Sequence, residues 1–202
     1  MAGQKYRHEY KHCIDRGDYI ALKARLKTVL TKDSHSGPSG GYVVRSLYFD
    51  TPDDRALREK LNGISRREKI RLRHYDDDFS YIRLEKKAKV NGYGRKEAAT
   101  ISKEEAQSLL QGEYGWLKER EEPLLSELYA KFFYQQLKPK VLVEYVREPY
   151  VYHAGNVRIT LDSEIRSGLY GTDFFQTNLP TLSSNPRDMM SFYPILFAMC
   201  CN

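Results

Sequence analysis

Arg66-Arg67-Glu68-Lys69-Ile70-Arg71-Leu72-Arg73-His74-Tyr75 is the stretch on which the reading of this chain turns. At the two-residue period of a β-strand, Arg67, Lys69, Arg71 and Arg73 share one face, and Ile70 and Leu72 share the other. Adjacent charges on the cationic face would stand roughly 7 Å apart and repel by about 2 kcal/mol per pair at an effective dielectric of about 20, less where water bathes them. A multivalent anion removes that cost. The alternative is a wet surface strand, since exposed charge is cheap, so the neighbouring segments have to decide.

Downstream, Asp76-Asp77-Asp78 is an acidic turn, and the chain returns through 79–89 with Arg83, Glu85, Lys87 and Lys89 on one side and Ile82 and Leu84 on the other. The hairpin thus aligns two charged faces. A turn at Gly92 to Gly94 leads to a further strand over 95–101, and Ser102 with Glu105 forms a capping box that starts a helix. Upstream, 42–50 reads as a strand with Ser46, Tyr48 and Asp50 on one face and Val43, Arg45, Leu47 and Phe49 on the other. Thr51 and Pro52 then predict the cap and first turn of a short helix that ends near Gly63.

Residues 5–13 form a first strand that places Arg7, Glu9 and Lys11 together. Glu9 between two cations is either a cross-strand charge partner or the acidic member of a metal and phosphate site. Asp15 and Asp18 offer caps for an amphipathic scaffold helix through Leu30. Leu124, Leu125, Leu128, Phe132 and Leu137 predict a packed helix, whose aromatic residues read as core. Two further strands follow: 140–149 with Val141, Val143, Tyr145 and Arg147 on one face, and 156–162 with Arg158, Thr160 and Asp162 opposite Val157, Ile159 and Leu161.

An antiparallel sheet with so many faces of Lys and Arg differs from an ordinary wet sheet, which mixes signs and adds Thr, Ser and Gln. Curled with its polar faces inward, it becomes an α+β antiparallel tunnel or barrel lined with cations, with helices packed on the apolar outside. At 202 residues the chain suits one domain, 1–202. A net charge of +6 favours acidic partners without naming one. Three cysteines, two of them adjacent at Cys200 and Cys201, suggest neither a disulfide framework nor a zinc site. No run of 18 apolar residues and no secretory apolar segment is present, so the expected location is the cytoplasm. Nucleic acid is not the expected partner, because the cations alternate at strand spacing beside acidic residues and no RNA-binding signature occurs.

The ordered set Arg7/Glu9/Lys11, Arg45-Ser-Leu-Tyr-Phe-Asp50, Arg67-x-Lys-x-Arg-x-Arg73, Glu85-x-Lys-x-Lys89, Tyr145-x-Arg147 and Val157-Arg-Ile-Thr-Leu-Asp162 resembles the VTC domain. That is the polyphosphate polymerase domain of the triphosphate tunnel metalloenzyme, or CYTH-like, superfamily. The resemblance implies a tunnel of about eight strands that grips triphosphate and polyphosphate. It also implies transfer of the γ-phosphoryl group of ATP to a polyphosphate chain with Mn²⁺ or Mg²⁺.

Carried onto this sequence, it assigns phosphate binding to Arg7, Lys11, Tyr48, Arg67, Lys69, Arg71, Arg73, Lys87, Lys89, Arg147 and Arg158, with Lys69, Arg71 and Arg73 at the catalytic centre. Glu9 and Glu85 become the metal carboxylates, with Asp50 and Asp162 behind them. ATP and inorganic polyphosphate are the implied partners, with room for a membrane-protein partner that would associate the domain with a membrane.

Two departures carry expectations of their own. Hydrolytic relatives place an acid where this chain has Arg7, which points to the polymerase-like branch. The Leu-Glu-Val-Lys-Tyr-type closing strand is missing from 186–202, so the tunnel is expected to lack one wall strand and one metal carboxylate, leaving an uncovered apolar run from Phe192 to Met199. A non-catalytic polyphosphate-binding module and a triphosphatase of the same fold are the alternatives.

Overall fold

The computed structural model describes residues 8–33, 36–37, 40–168, 172–176, 181–183 and 195–201. The chain order begins β1 (His8–Ile14), α1 (Arg16–Val29), β2 (Thr31–Lys32), β3 (Tyr42–Asp50), α2 (Arg55–Leu61) and β4 (Arg67–Tyr75). It continues with β5 (Asp78–Val90), β6 (Tyr93–Ile101), α3 (Lys103–Leu110), a 3-10 turn (Gly115–Lys118), α4 (Pro123–Gln135) and β7 (Lys138–Tyr152). Last come β8 (Val157–Gly168), β9 (Thr181–Ser183) and β10 (Ile195–Cys201).

The strands form one antiparallel sheet in the order β1-β10-β8-β7-β3-β4-β5-β6, with β2 added to β7 and β9 to β8. Residues of β1 and β6, the two ends of that path, come within 8 Å of one another, so the sheet curls back on itself. The β4–β5 hairpin turns through Asp76 and Asp77 (φ 47° and 56°), and β5–β6 turns through Asn91 and Gly92 (φ 49° and 88°). Two successive positive φ values are what a two-residue hairpin needs, because that turn matches the twist of its strands.

The expected missing wall is not missing. Residues 195–201 form β10, which pairs with β1 on one side (Lys11 opposite Ala198) and with β8 on the other (Thr160 opposite Ala198). Residues 195–199 of the apolar run that the sequence left uncovered are thus drawn into the sheet, and 192–194 lie outside the described residues. A strand flanked on both sides needs β-propensity and backbone pairing more than any one motif, and Ile-Leu-Phe-Ala-Met-Cys-Cys supplies them. It supplies no carboxylate.

The core lies outside the curl. Leu47 and Phe49 of β3, Ile70 and Leu72 of β4, Ile82 and Leu84 of β5 and Leu142 of β7 pack against Leu125, Leu128 and Phe132 of α4. Phe49 and Phe132 meet edge to face at 5.1 Å. Each fully buried side chain of this kind stabilises the fold by about 1.5–3 kcal/mol. Lys86 of β5 pairs with Glu127, and Lys131 with Glu68 of β4, pinning α4 to the sheet.

The capping box of α3 forms as expected, with Glu105 N–H donating to Ser102 Oγ at 3.1 Å and Ser102 N–H to Glu105 Oε2 at 2.8 Å. Helix α1 is capped by Asp15, which accepts from Asp18 N–H at 2.8 Å. Its expected apolar contact is weak: no residue of α1 is buried, and Ile20 and Val29 are 60% and 69% exposed. It is held instead by polar contacts of Tyr19 and Lys23 with the buried Glu148 of β7. No helix of the described residues is long and apolar enough to cross a membrane.

Candidate functional site

The side of the sheet that faces away from the helices collects the cationic residues. In β4, Arg71 Nε donates to Glu85 Oε2 at 2.8 Å and Arg71 Nη1 to the Tyr48 hydroxyl at 2.9 Å, while the guanidinium lies over the Tyr48 ring. Two residues on, Arg73 Nε donates to Ser46 Oγ at 2.9 Å and Nη2 to the Tyr145 hydroxyl at 3.1 Å. Register explains the convergence: Arg71 stands opposite Tyr48 on β3 and Glu85 on β5, and Arg73 opposite Ser46 and Arg83.

The remaining strands complete the ring. Lys96 of β6 is in ion-pair contact with Glu85, and Arg83 Nε lies 4.0 Å from the same carboxylate. Arg147 of β7 makes a two-pronged bond to Asp162 of β8 (2.7 and 2.7 Å) and lies over the Tyr145 ring at 5.1 Å. Tyr145 sits opposite an irregularity between β7 and β8, where Glu164 takes φ 51°. Arg158 donates to the Tyr42 hydroxyl at 3.1 Å and pairs with Asp33 at 3.0 Å. Lys11 of β1 is close enough to Lys69 of β4 for the two charges to repel, and β1 also approaches β6 within 8 Å.

The electrostatics follow from burial under a surplus of positive charge. Burial alone raises the Glu85 carboxyl, but Arg71, Arg73 and Lys96 overcome it and hold the pKa at about 2. Tyr48 follows the same pattern: burial pushes its phenol up, and Arg71, Arg73 and Lys69 bring it below its usual value. Lys69 is lowered by burial, then by Lys60, Arg67 and Lys11. Lys96 is likewise lowered, burial outweighing the attraction of Glu85. For Arg71 and Arg147, burial opposes the charge and their anionic and phenolic neighbours restore it, ending above the ordinary arginine value.

Of the residues assigned from sequence, Tyr48, Lys69, Arg71, Arg73 and Glu85 form one connected group, with Lys11 facing it. Arg147 and Arg158 occupy the next wall, both acting on the ionisation of Tyr42. Lys87 lies opposite both Lys69 and Lys96, and Lys89 opposite Arg67, continuing the row toward one end. Arg67 Nη1 donates to the Ile64 carbonyl at 2.6 Å, which turns it toward α2. Arg7 lies outside the described residues. The backbone of Glu9 is paired with Cys200, but its side chain lies outside the described residues.

Two secondary acids behave otherwise than expected. Asp50 stands outside the charged group, its carboxylate accepting the backbone N–H of Thr51 (2.8 Å), Ala56 (2.9 Å) and Leu57 (3.1 Å). It therefore caps α2, which starts at Arg55 rather than at Pro52, with Thr51 Oγ1 accepting from Arg55 N–H at 3.0 Å. Asp162 is committed to Arg147. Arg71 and Lys96 cover Glu85, and among the described residues no group of three His, Cys, Asp or Glu side chains could hold an ion.

Lys96, Ser46, Tyr145 and Tyr42 were not singled out as site residues from sequence. Lys96 was legible: counting back from a two-residue turn at Asn91-Gly92 sets it opposite Lys87. The hydroxyl groups carry no comparable signal, since Ser and Tyr occur on any strand face.

A curled antiparallel sheet with helices outside and arginine and lysine inside defines the triphosphate-tunnel fold. The VTC domain profile matches residues 6–192, and the chain belongs to that family. A candidate adenylate cyclase from Bacillus halodurans superposes with a TM-score of 0.58 at 17% identity, covering 97% of this chain and 81% of that one. A second candidate adenylate cyclase, from Vibrio parahaemolyticus, superposes with a TM-score of 0.52 at 12% identity, covering 99% of this chain and 78% of that one. At such identities the likeness is one of fold. A search of curated proteins returned no match.

Proposed function

We propose that the protein binds triphosphate and inorganic polyphosphate in the bore and transfers the γ-phosphoryl group of ATP to a terminal oxygen of a polyphosphate chain, the β–γ phosphoanhydride bond breaking and ADP leaving. Arg73 carries this reading. Its side chain is 3% exposed, yet its hydrogen-bond partners are the neutral hydroxyls of Ser46 and Tyr145, and no carboxylate among the described residues pairs with it. A buried guanidinium without a direct counter-ion is costly unless an anion arrives to meet it.

Phosphoryl transfer asks a protein mainly for in-line positioning and neutralisation of charge, and no side-chain nucleophile is required. In the proposed complex Arg71 and Arg73 present their planar donors to phosphate oxygens and Lys69 adds a point charge. Lys11, Lys87, Lys89, Arg147 and Arg158 hold the chain on either side, each charge-assisted bond contributing about 1.5–3 kcal/mol. Mn²⁺ or Mg²⁺ would enter on the oxygens of the nucleotide itself with its remaining positions filled by water, as suits an ion that keeps much of its hydration.

A polyphosphate-binding module without turnover is the second reading, favoured by the engagement of Glu85 with Arg71 and Lys96. A ladder of polyphosphate from ATP and Mn²⁺ supports transfer. Calorimetric binding of tripolyphosphate without product at any metal concentration supports the module, and release of free phosphate alone would identify a triphosphatase. Absence of heat with tripolyphosphate at low salt overturns the bore as a phosphate site. Oligonucleotides, single-stranded or duplex, are expected not to displace bound tripolyphosphate. Cysteine usage fits a cytoplasmic protein, and a membrane-protein partner that collects the product remains part of the proposal.

A further inference from the structure

On the far side of β3 and β4 from the bore, between α2 and the end of α4, lies a cavity of about 240 Å³. Its floor is apolar: Phe49 and Ile70, with Leu137 beside them. Phe49 and Ile70 belong to the outer core, so the sheet separates the cavity from the bore.

The charge balance of the lining is decided by which groups are already engaged. Three carboxylates border the cavity, and all are occupied: Asp50 by the backbone of α2, Glu59 by Arg55 at 2.9 Å, and Glu68 by Lys131. On the cationic side, Arg66 has no hydrogen bond or ion pair among the described residues. Arg67 donates one bond to a backbone carbonyl, and Arg55 has donors left beyond its bond to Glu59. What faces the cavity once these pairings are counted is a set of guanidinium donors over an apolar floor.

We infer that this cavity is a second binding site, separate from the bore, for a small organic monophosphate: one phosphoryl group for Arg66 and Arg67, and a flat apolar body for Phe49, Ile70 and Leu137. The volume lies below the usual range for sites that enclose larger ligands, roughly 300–1,000 Å³, and so limits the occupant to about the size of a nucleoside monophosphate. Both an apolar floor and a few placed polar groups are needed for a specific small-molecule site. Glu68 and Ile70 line the cavity, while Lys69 between them on β4 belongs to the bore.

Calorimetry with AMP as the probe tests this, on the free protein and on protein saturated with tripolyphosphate. The expected result is one AMP site that survives saturation of the bore. Arg66→Ala, an exposed change that leaves the core untouched, should weaken AMP by about 10-fold or more, the loss of one charge-assisted bond. Ala56→Phe, which fills the cavity without altering charge, should abolish AMP binding and leave tripolyphosphate binding in place. Displacement of AMP by tripolyphosphate, unchanged AMP affinity in both variants, or equal affinity for inorganic phosphate would each overturn the inference. If tripolyphosphate itself gives no heat, the bore reading fails, and the Arg66→Ala comparison on the free protein still decides the cavity.

Discussion

Replacing Glu85 by Gln separates what the bore needs to fold from what it needs to bind. Glu85 is 1% exposed and faces Arg71, Lys96 and Arg83, with Arg73 close enough to lower its pKa. The amide keeps the shape and removes the charge, leaving the largely buried Arg71 and the more exposed Arg83 and Lys96 without their shared counter-ion; breaking the buried Glu85–Arg71 pair in this way costs about 3–5 kcal/mol. For a chain of this length, that lowers Tm by about 6 to 20 °C.

The proton linkage gives an independent magnitude. The folded carboxyl titrates at about 2 against an ordinary 4.5, a depressed value. Its contribution is therefore complete above the ordinary pKa and is lost as pH falls toward the folded one, and a shift of that size corresponds to about 3 kcal/mol. Tripolyphosphate should reverse the loss, because an anion then supplies the missing charge, and it should bind the variant more tightly than the parent. The assay is thermal unfolding at neutral pH with and without tripolyphosphate. A variant that melts within about 2 °C of the parent, or that gains less from tripolyphosphate than the parent does, refutes the account of Glu85 as an internal counter-ion.

Arg71→Lys should weaken tripolyphosphate binding by about 10-fold or more, since a single ammonium cannot reproduce a guanidinium that serves Tyr48 and Glu85 at once; equal titration curves would contradict the role given to its fork. Asp50→Ala should cost about 1–2 kcal/mol of stability by uncapping α2 while leaving tripolyphosphate affinity unchanged, and a loss of affinity would return Asp50 to the site. His74 is fully buried between Phe79 and Phe174, its ring centroid 4.9 and 4.8 Å from theirs. Burial first, then Arg45, pushes its pKa down, so folding favours the neutral ring, and stability that is whole above the ordinary value of 6.5 falls as the medium becomes more acidic. His74→Phe should flatten the fall in Tm between about pH 7.5 and 5.5, and an unchanged slope would show that other groups cause it.

The alternation of Lys and Arg with Ile and Leu in 69–73 was enough to set one face of β4 inside and the other against the core, because a strand offers only two faces, whereas Arg67 at the strand's start turns toward α2. The same rule set Tyr48, Arg158 and Glu85 on polar faces, while Arg147, which shares its face with Val141 and Val143, was assigned from the family resemblance alone. It failed at 195–201 for a physical reason: an unbroken apolar run has no period of two, and only pairing with β1 and β8 makes it a strand. It also failed at Asp50, whose strand position suggested the charged face while the nearby N–H groups of α2 took its carboxylate. Local hydrogen-bond demand at a helix start outweighed the alternation, and that demand depends on where the helix begins, which Pro52 did not fix.

Part of the positive charge in the bore is already answered from within. Glu85 answers Arg71 and Lys96, Asp162 answers Arg147, and Asp33 answers Arg158. An entering phosphate must therefore compete with built-in partners, and a single phosphate group meeting one arginine gains little over the carboxylate it displaces. A chain of linked phosphates meets several cations in sequence, and each later contact forms at the high effective concentration set by the first. It also reaches Arg73 and Lys69, which have no carboxylate partner among the described residues. On this argument the internal carboxylates set a threshold of valence: orthophosphate should bind weakly, and affinity should rise steeply from pyrophosphate to tripolyphosphate.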